Sequence, residues 1–121
     1  MGLSLCIAGA GKSLVVAATA FTLSWTHSVE RTEWRESWRL DASGLSVTEA
    51  RVKGSGAGME PGAGARLSGG WWVWSPTVPP LARLTLASSG VTSSGWTLCH
   101  AGGCMTLGVE PGDSTTLSAC P

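Results

Sequence analysis

The fourteen residues from Trp25 to Trp38, WTHSVERTEWRESW, gather most of the groups in this chain that could do chemistry. They hold His27, one of two histidines, with Ser28, the carboxylates Glu30, Glu33 and Glu36, and three tryptophans. A histidine beside a serine suggests nucleophilic attack, with His27 as base and a carboxylate to orient it. Successive side chains of a strand point to opposite faces, however, so Ser28 would point away from His27. Two carboxylates set across a cleft would suggest glycoside hydrolysis. Glu30 and Glu36 share a parity, but six strand steps put them ~20 Å apart unless a turn falls between them. The ordinary alternative is that His27 and Glu36 bond to each other or to backbone beneath the tryptophans, because inward polar groups need partners.

Two other stretches carry reactive residue types. AGAGKSL, residues 8–14, ends like a phosphate-binding loop, but Cys6 stands where that motif needs its first glycine. The motif also needs a helix to follow, and the residues after Lys12 are β-formers, so a turn with an exposed lysine is the better reading. In WTLCHAGGCMTL, residues 96–107, a tight loop at Ala101-Gly102 would set Cys99 opposite Cys104 across a hairpin, close enough for a disulfide. Cys6 and Cys120 fall in the terminal strands and form a second candidate pair. Two alternatives stay open for these thiols. They are unpaired, or Cys99, His100 and Cys104 hold zinc with a fourth ligand, although the second paired knuckle of a zinc site is missing. No metal or other cofactor is assigned.

Strands must position all of these groups. FTLSWTHSV alternates, with Phe21, Leu23, Trp25, His27 and Val29 on one face. RTEWRESWRL alternates as well, with Trp34, Glu36, Trp38 and Leu40 together; a helix would instead stack Arg31, Arg35 and Arg39 at a repulsive spacing. An even-length hairpin loop makes the two apolar faces coincide. The expected register pairs Phe21 with Leu40, Leu23 with Trp38, Trp25 with Glu36 and His27 with Trp34. Residues 3–8 and 13–18 read as another hairpin, DASG as a turn, and residues 45–52 as a strand. Residues 54–70 carry seven glycines in seventeen positions and read as a long loop. WWVW, LARLTLA, GWTLC, MTLGV and STTLSAC supply the remaining strands. In WWVW, Trp72 and Trp74 share a face and Trp71 lies opposite. The expectation is one all-β domain over residues 1–121, a small antiparallel sandwich or flattened barrel of about nine short strands.

Composition narrows the function. The chain has 121 residues, 13% charged, with eight cationic and eight acidic side chains that cancel. That leaves no basic field for nucleic acid or anionic lipid. No apolar run approaches the ~20 residues a spanning helix needs, so no direct membrane span is expected. SLVVAATAFTL follows Lys12 and ends near a small-residue AATA, a minimal export-signal pattern, but it reads better as strand; no clear signal peptide is seen.

Taken together, FTLSWTHSVERTEWRESWRL and GLSVTEARVKGSGAGMEP resemble the bacterial domain of unknown function 1850 family. The carrying residues are Trp25, Thr26, His27, Ser28 and Val29, then Glu36, then Gly56, Ala57, Gly58 and Pro61. Most relatives have a proline where this chain has Glu33. The resemblance implies context rather than an activity. Such proteins are often encoded beside TAXI-type tripartite ATP-independent periplasmic transporters of organic acids, and many begin with an export signal or anchor. It therefore implies an extracytoplasmic accessory or binding module, with a transporter receptor or permease as partner and a small organic acid as ligand. It also makes His27, Ser28, Glu30, Glu36, Gly56, Ala57 and Gly58 the candidate ligand-binding set. Glycine-rich backbone beside a histidine can cradle a carboxylate. The other readings are a small hydrolase using His27 with a carboxylate or metal, and a purely structural envelope protein.

Overall fold

The alternating segments form strands because β-branched and aromatic residues suit a pleated, half-buried surface, while glycine pairs supply the turns. The computed structural model describes residues 3–9, 11–26, 32–53, 64–87, 95–108 and 114–121. Among the described residues there are eleven strands and no helix. They are β1 (Ser4–Gly9), β2 (Lys12–Val16), β3 (Ala20–Thr26), β4 (Glu33–Asp41), β5 (Gly44–Lys53), β6 (Arg66–Ser68), β7 (Trp71–Trp74), β8 (Arg83–Ala87), β9 (Trp96–His100), β10 (Gly103–Leu107) and β11 (Ser114–Cys120).

Two open antiparallel sheets form a β-sandwich. The smaller has the order β2-β1-β11-β8, and the larger β10-β9-β3-β4-β5-β7-β6. In the smaller sheet Gly9 pairs with Lys12, and Gly11 takes a φ of 75° in the tight turn between them. Lys12 thus opens a strand, and the helix that a phosphate-binding loop requires is absent. At the Asp41–Gly44 turn, the Ser43 N–H donates to Asp41 Oδ1 at 2.8 Å. Reciprocal backbone bonds of 2.8 Å between Leu45 and Leu81 then tie the start of β5 to the chain entering β8.

Two expectations need correction. The β3–β4 register is displaced by two residues: Phe21 faces Trp38, Leu23 faces Glu36 and Trp25 faces Trp34. A slip of two keeps every side chain on its face, so alternation is blind to it. Ring stacking accounts for the observed choice, with Phe21 on Trp38 at 6.3 Å and Trp25 on Trp34 at 6.1 Å. The expected partner of Trp34, His27, lies outside the described residues. The second correction concerns residues 54–70. Their last part contains β6, which pairs with β7 through Gly69 and Gly70, at φ values of 57° and 89°. Two consecutive positive φ values make the mirror-image turn that joins twisted strands.

The main core lies toward one end of the large sheet. Leu5, Ile7 and Leu117 of the small sheet pack with Phe21, Leu23, Trp38, Leu40, Leu45 and Leu98 of the large one. Leu5, Leu23, Leu45, Leu98 and Leu117 are fully buried, each worth roughly 1.5–3 kcal/mol of transfer free energy. Val52 is also fully buried but stands outside this cluster. Something else covers it.

Candidate functional site

Val52 has indoles as its neighbours on both adjoining strands, and the register shows how this second layer arises. Trp34 on β4 pairs with Val52 on β5, which pairs with Trp72 on β7; one step along, Glu36 pairs with Ala50, which pairs with Trp74. All of these positions point to the inner face of the large sheet. Ala50 carries no side chain beyond Cβ, so the rings of Trp34 and Trp74 reach across β5 and meet edge to face, 6.3 Å apart and 84° inclined. On the other side Trp34 stacks on Trp25, and Trp25 meets Trp96 at 4.6 Å, because β9 lies beside β3. Four indoles from β9, β3, β4 and β7 thus form a continuous arc, each only partly buried. Trp25 and Trp96 sit at the margin of the main core, whereas Trp34 and Trp74 stand outside it.

Glu36 is set into this arc. Its neighbours across the sheet are Leu23 and Ala50, and Trp34 and Trp38 flank it on its own strand. The Trp38 indole N–H donates to Glu36 Oε1 at 3.1 Å. Burial pushes the Glu36 carboxyl above its ordinary value of 4.5, and the Trp38 hydrogen bond pulls part of the way back. Among the described residues Oε2 has no partner and no cation faces the carboxyl.

The described cations of the large sheet lie on its other face. Arg35 and Arg51 are cross-strand partners, an arrangement that would be repulsive alone. Glu33 accepts from Arg35 at 3.3 Å, Glu49 pairs with Arg51, and Trp71 lies under both guanidinium groups and Lys53, at 5.2, 5.9 and 5.6 Å. Trp71 therefore faces outward while Trp74 faces inward. Exposed pairs of this kind contribute little individually. The same outer face carries an open hollow of about 580 Å³ beside the β4–β5 bulge, lined by Thr22, Ser37, Arg39, Thr48 and His100. His100 Nδ1 accepts the Gly102 N–H at 3.0 Å.

Of the candidate ligand-binding set, Glu36 is placed on the inner face. His27, Ser28, Glu30, Gly56, Ala57 and Gly58 lie outside the described residues. Their flanking strands are described: β3 ends at Thr26 and β5 at Lys53, both at the end of the large sheet that holds Trp25 and Trp34. Cys99 and Cys104 are directly opposed across the β9–β10 hairpin and joined as a disulfide, with Cα atoms 4.0 Å apart. Cys6 and Cys120 form a second one between β1 and β11, with Cα atoms 5.9 Å apart. Among the described residues no group of three or more potential ligands could hold a metal ion, and no helix is long and apolar enough to cross a membrane. Trp74 and Trp96 were not among the residues singled out as a site; their shared parity with neighbouring inward residues was the available signal, but not which strands would lie together.

A family model described as a domain of unknown function (DUF1850) matches residues 21–107. The chain belongs to the DUF1850 family. The matched span runs from Phe21 in β3 to Leu107 in β10, so the indole arc, Glu36 and the Cys99–Cys104 disulfide belong to the DUF1850 part. Strands β1, β2 and β11, with the Cys6–Cys120 disulfide, lie outside it. No curated protein and no solved structure matches the chain.

Proposed function

We propose that this DUF1850 protein is an extracytoplasmic accessory module that binds a small organic acid at the indole-lined end of its large sheet. Its partner would be the receptor or permease of a TAXI-type tripartite ATP-independent periplasmic transporter. The observation that carries the reading is the arc of four partly buried indoles on the sheet face that also carries Glu36. Apolar walls with a few convergent polar groups are the usual make-up of a small-molecule site. The segments bearing His27 and Gly56-Ala57-Gly58 leave β3 and β5 at that same end, two strand spacings or ~9.6 Å apart, which supports their contribution to the ligand. Two disulfides in a domain of this size support an oxidising compartment. The link to a TAXI-type transporter rests on the family resemblance.

Calorimetric titration of the folded, oxidised protein with dicarboxylates and glutamate at pH 5.5 and pH 8 tests the binding. Heat is expected with at least one acid, and a quench of indole emission should track it. Stronger binding at pH 5.5 that disappears in His27→Ala assigns a cationic His27 to the site. Flat heats and unchanged emission with every acid at both pH values overturn the reading. Co-purification with the permease tests the partnership.

A further inference from the structure

Arg39 stands apart from the other arginines of β4 and β5. It lies on the outer face of β4, on the parity of Arg35. Arg35 is paired with Glu33, and Arg51 donates to Glu49 through both Nε and Nη2. Among the described residues Arg39 makes no ion pair and no hydrogen bond. Its cross-strand neighbours are Ala20 on β3 and Ser46 on β5, and neither is acidic. The nearest acids of that face are engaged elsewhere. Glu49 is held by Arg51, and Asp41, two residues along from Arg39, accepts the Ser43 N–H. Every residue that flanks Arg39 across the sheet is described.

The open hollow of about 580 Å³ is lined by this same residue. Small side chains account for its shape. Ala20 offers only a Cβ beside Arg39, and the next row is Thr22 paired with Ser37. The β4–β5 bulge adds Thr48 to the rim, and its hydroxyl is fixed by donating to the Ser37 carbonyl at 3.1 Å. Bulges recur beside sites because they re-aim side chains. The Thr22 and Ser37 hydroxyls have no partner among the described residues. His100 also lines the hollow; its Nδ1 accepts from Gly102, so its ring proton sits on Nε2 and can be donated. No acid lines the hollow. Its polar groups are thus donors around one full positive charge, which suits a monoanion. The parallel N–H pair of a guanidinium matches a carboxylate, whereas a phosphate dianion would leave one charge unanswered. We propose that Arg39, with Thr22, Ser37 and His100 Nε2–H, forms a receptor for a small monocarboxylate. The site lies on the opposite face from the indole arc and goes beyond the reading given to that arc.

The test is an NMR titration of the oxidised protein with butyrate, butyramide and inorganic phosphate at low salt. The Arg39 Nε–H signal and the Thr22 and Ser37 amides report this site, and the indole N–H signals of Trp34 and Trp74 report the other face. Butyrate should shift the Arg39 group saturably, and butyramide, of the same shape without the charge, should not. Arg39→Gln should weaken butyrate binding at least tenfold. Ala20→Leu, which fills the hollow and keeps the guanidinium, should weaken it to a similar degree. Both positions are exposed, and melting temperatures of the two variants check that they fold. Phosphate binding tighter than butyrate overturns the carboxylate assignment. Equal shifts from butyramide, or butyrate affinity unchanged in both variants, overturn the receptor. Shifts confined to Trp34 and Trp74 overturn this site and leave the indole-end reading intact.

Discussion

Glu36 is the residue on which chemistry and stability meet. Its folded carboxyl titrates above the ordinary value of 4.5 because burial opposes the charge. The folded state therefore holds a proton more tightly than the unfolded state between those two values. By linkage, the contribution of Glu36 to stability is fully present below pH 4.5 and is lost as pH rises through the higher folded value. Urea unfolding of the wild type should lose this component on going from pH 4 to pH 8. Glu36→Gln should lack it and should be at least as stable as the wild type at pH 8, which parallel curves would check. Removing the donor acts in the other direction. Trp38→Phe leaves Oε1 without its bond and should cost about 1–2 kcal/mol, with the carboxyl titrating higher still in a carbon-13 NMR titration.

At the scale of elements, the turn into β5 and the two disulfides make the sharpest expectations. Gly44 sits at φ 115°, and a Cβ there would run into the Leu81 carbonyl oxygen that accepts from Leu45 N–H. Gly44→Ala should therefore cost about 1–3 kcal/mol from backbone strain alone, read as a lower urea midpoint with unchanged slope. The disulfides close loops of very different length, 114 residues of separation for Cys6–Cys120 and 5 for Cys99–Cys104. Chain entropy then predicts about 4–5 kcal/mol lost on replacing Cys6 and Cys120 by serine, against about 2 kcal/mol for Cys99 and Cys104. Equal losses in non-reducing denaturation would contradict that model. Strand existence and facing were readable here because Phe21 to Trp25 and Trp34 to Leu40 alternate without a break. The β3–β4 pairing was not, because Phe21 opposite Leu40 and Phe21 opposite Trp38 bury the same side chains. β6 escaped notice because its three residues, Arg66 to Ser68, carry no alternation long enough to detect. The inward Glu36 followed from parity, but the arc around it did not. Trp96 reaches Trp25 only because β9 lies beside β3, and Trp74 reaches Trp34 only across Ala50; neither neighbour is encoded locally.

For the whole molecule, the small sheet covers only part of the large one, and the indole arc occupies part of what it leaves. The small sheet also ends in an exposed edge, where β2 presents Leu14 and Val15 at 49% and 63% exposure. Unpaired edges with apolar side chains invite association. A Leu14→Lys, Val15→Lys double substitution should lower self-association at high protein concentration, measured by sedimentation, with ligand titrations unchanged. The placement of Cys6 and Cys120 on neighbouring strands has a mechanical consequence. Traction on the chain from outside that pair passes through the sulfur bridge and bypasses both sheets. Single-molecule stretching under oxidising conditions should show no unfolding step, while the reduced protein should release roughly 400 Å of slack from the 114-residue span. Fixed at both tails, this sandwich would act as a rivet that bears load while its indole-bearing face stays unstressed.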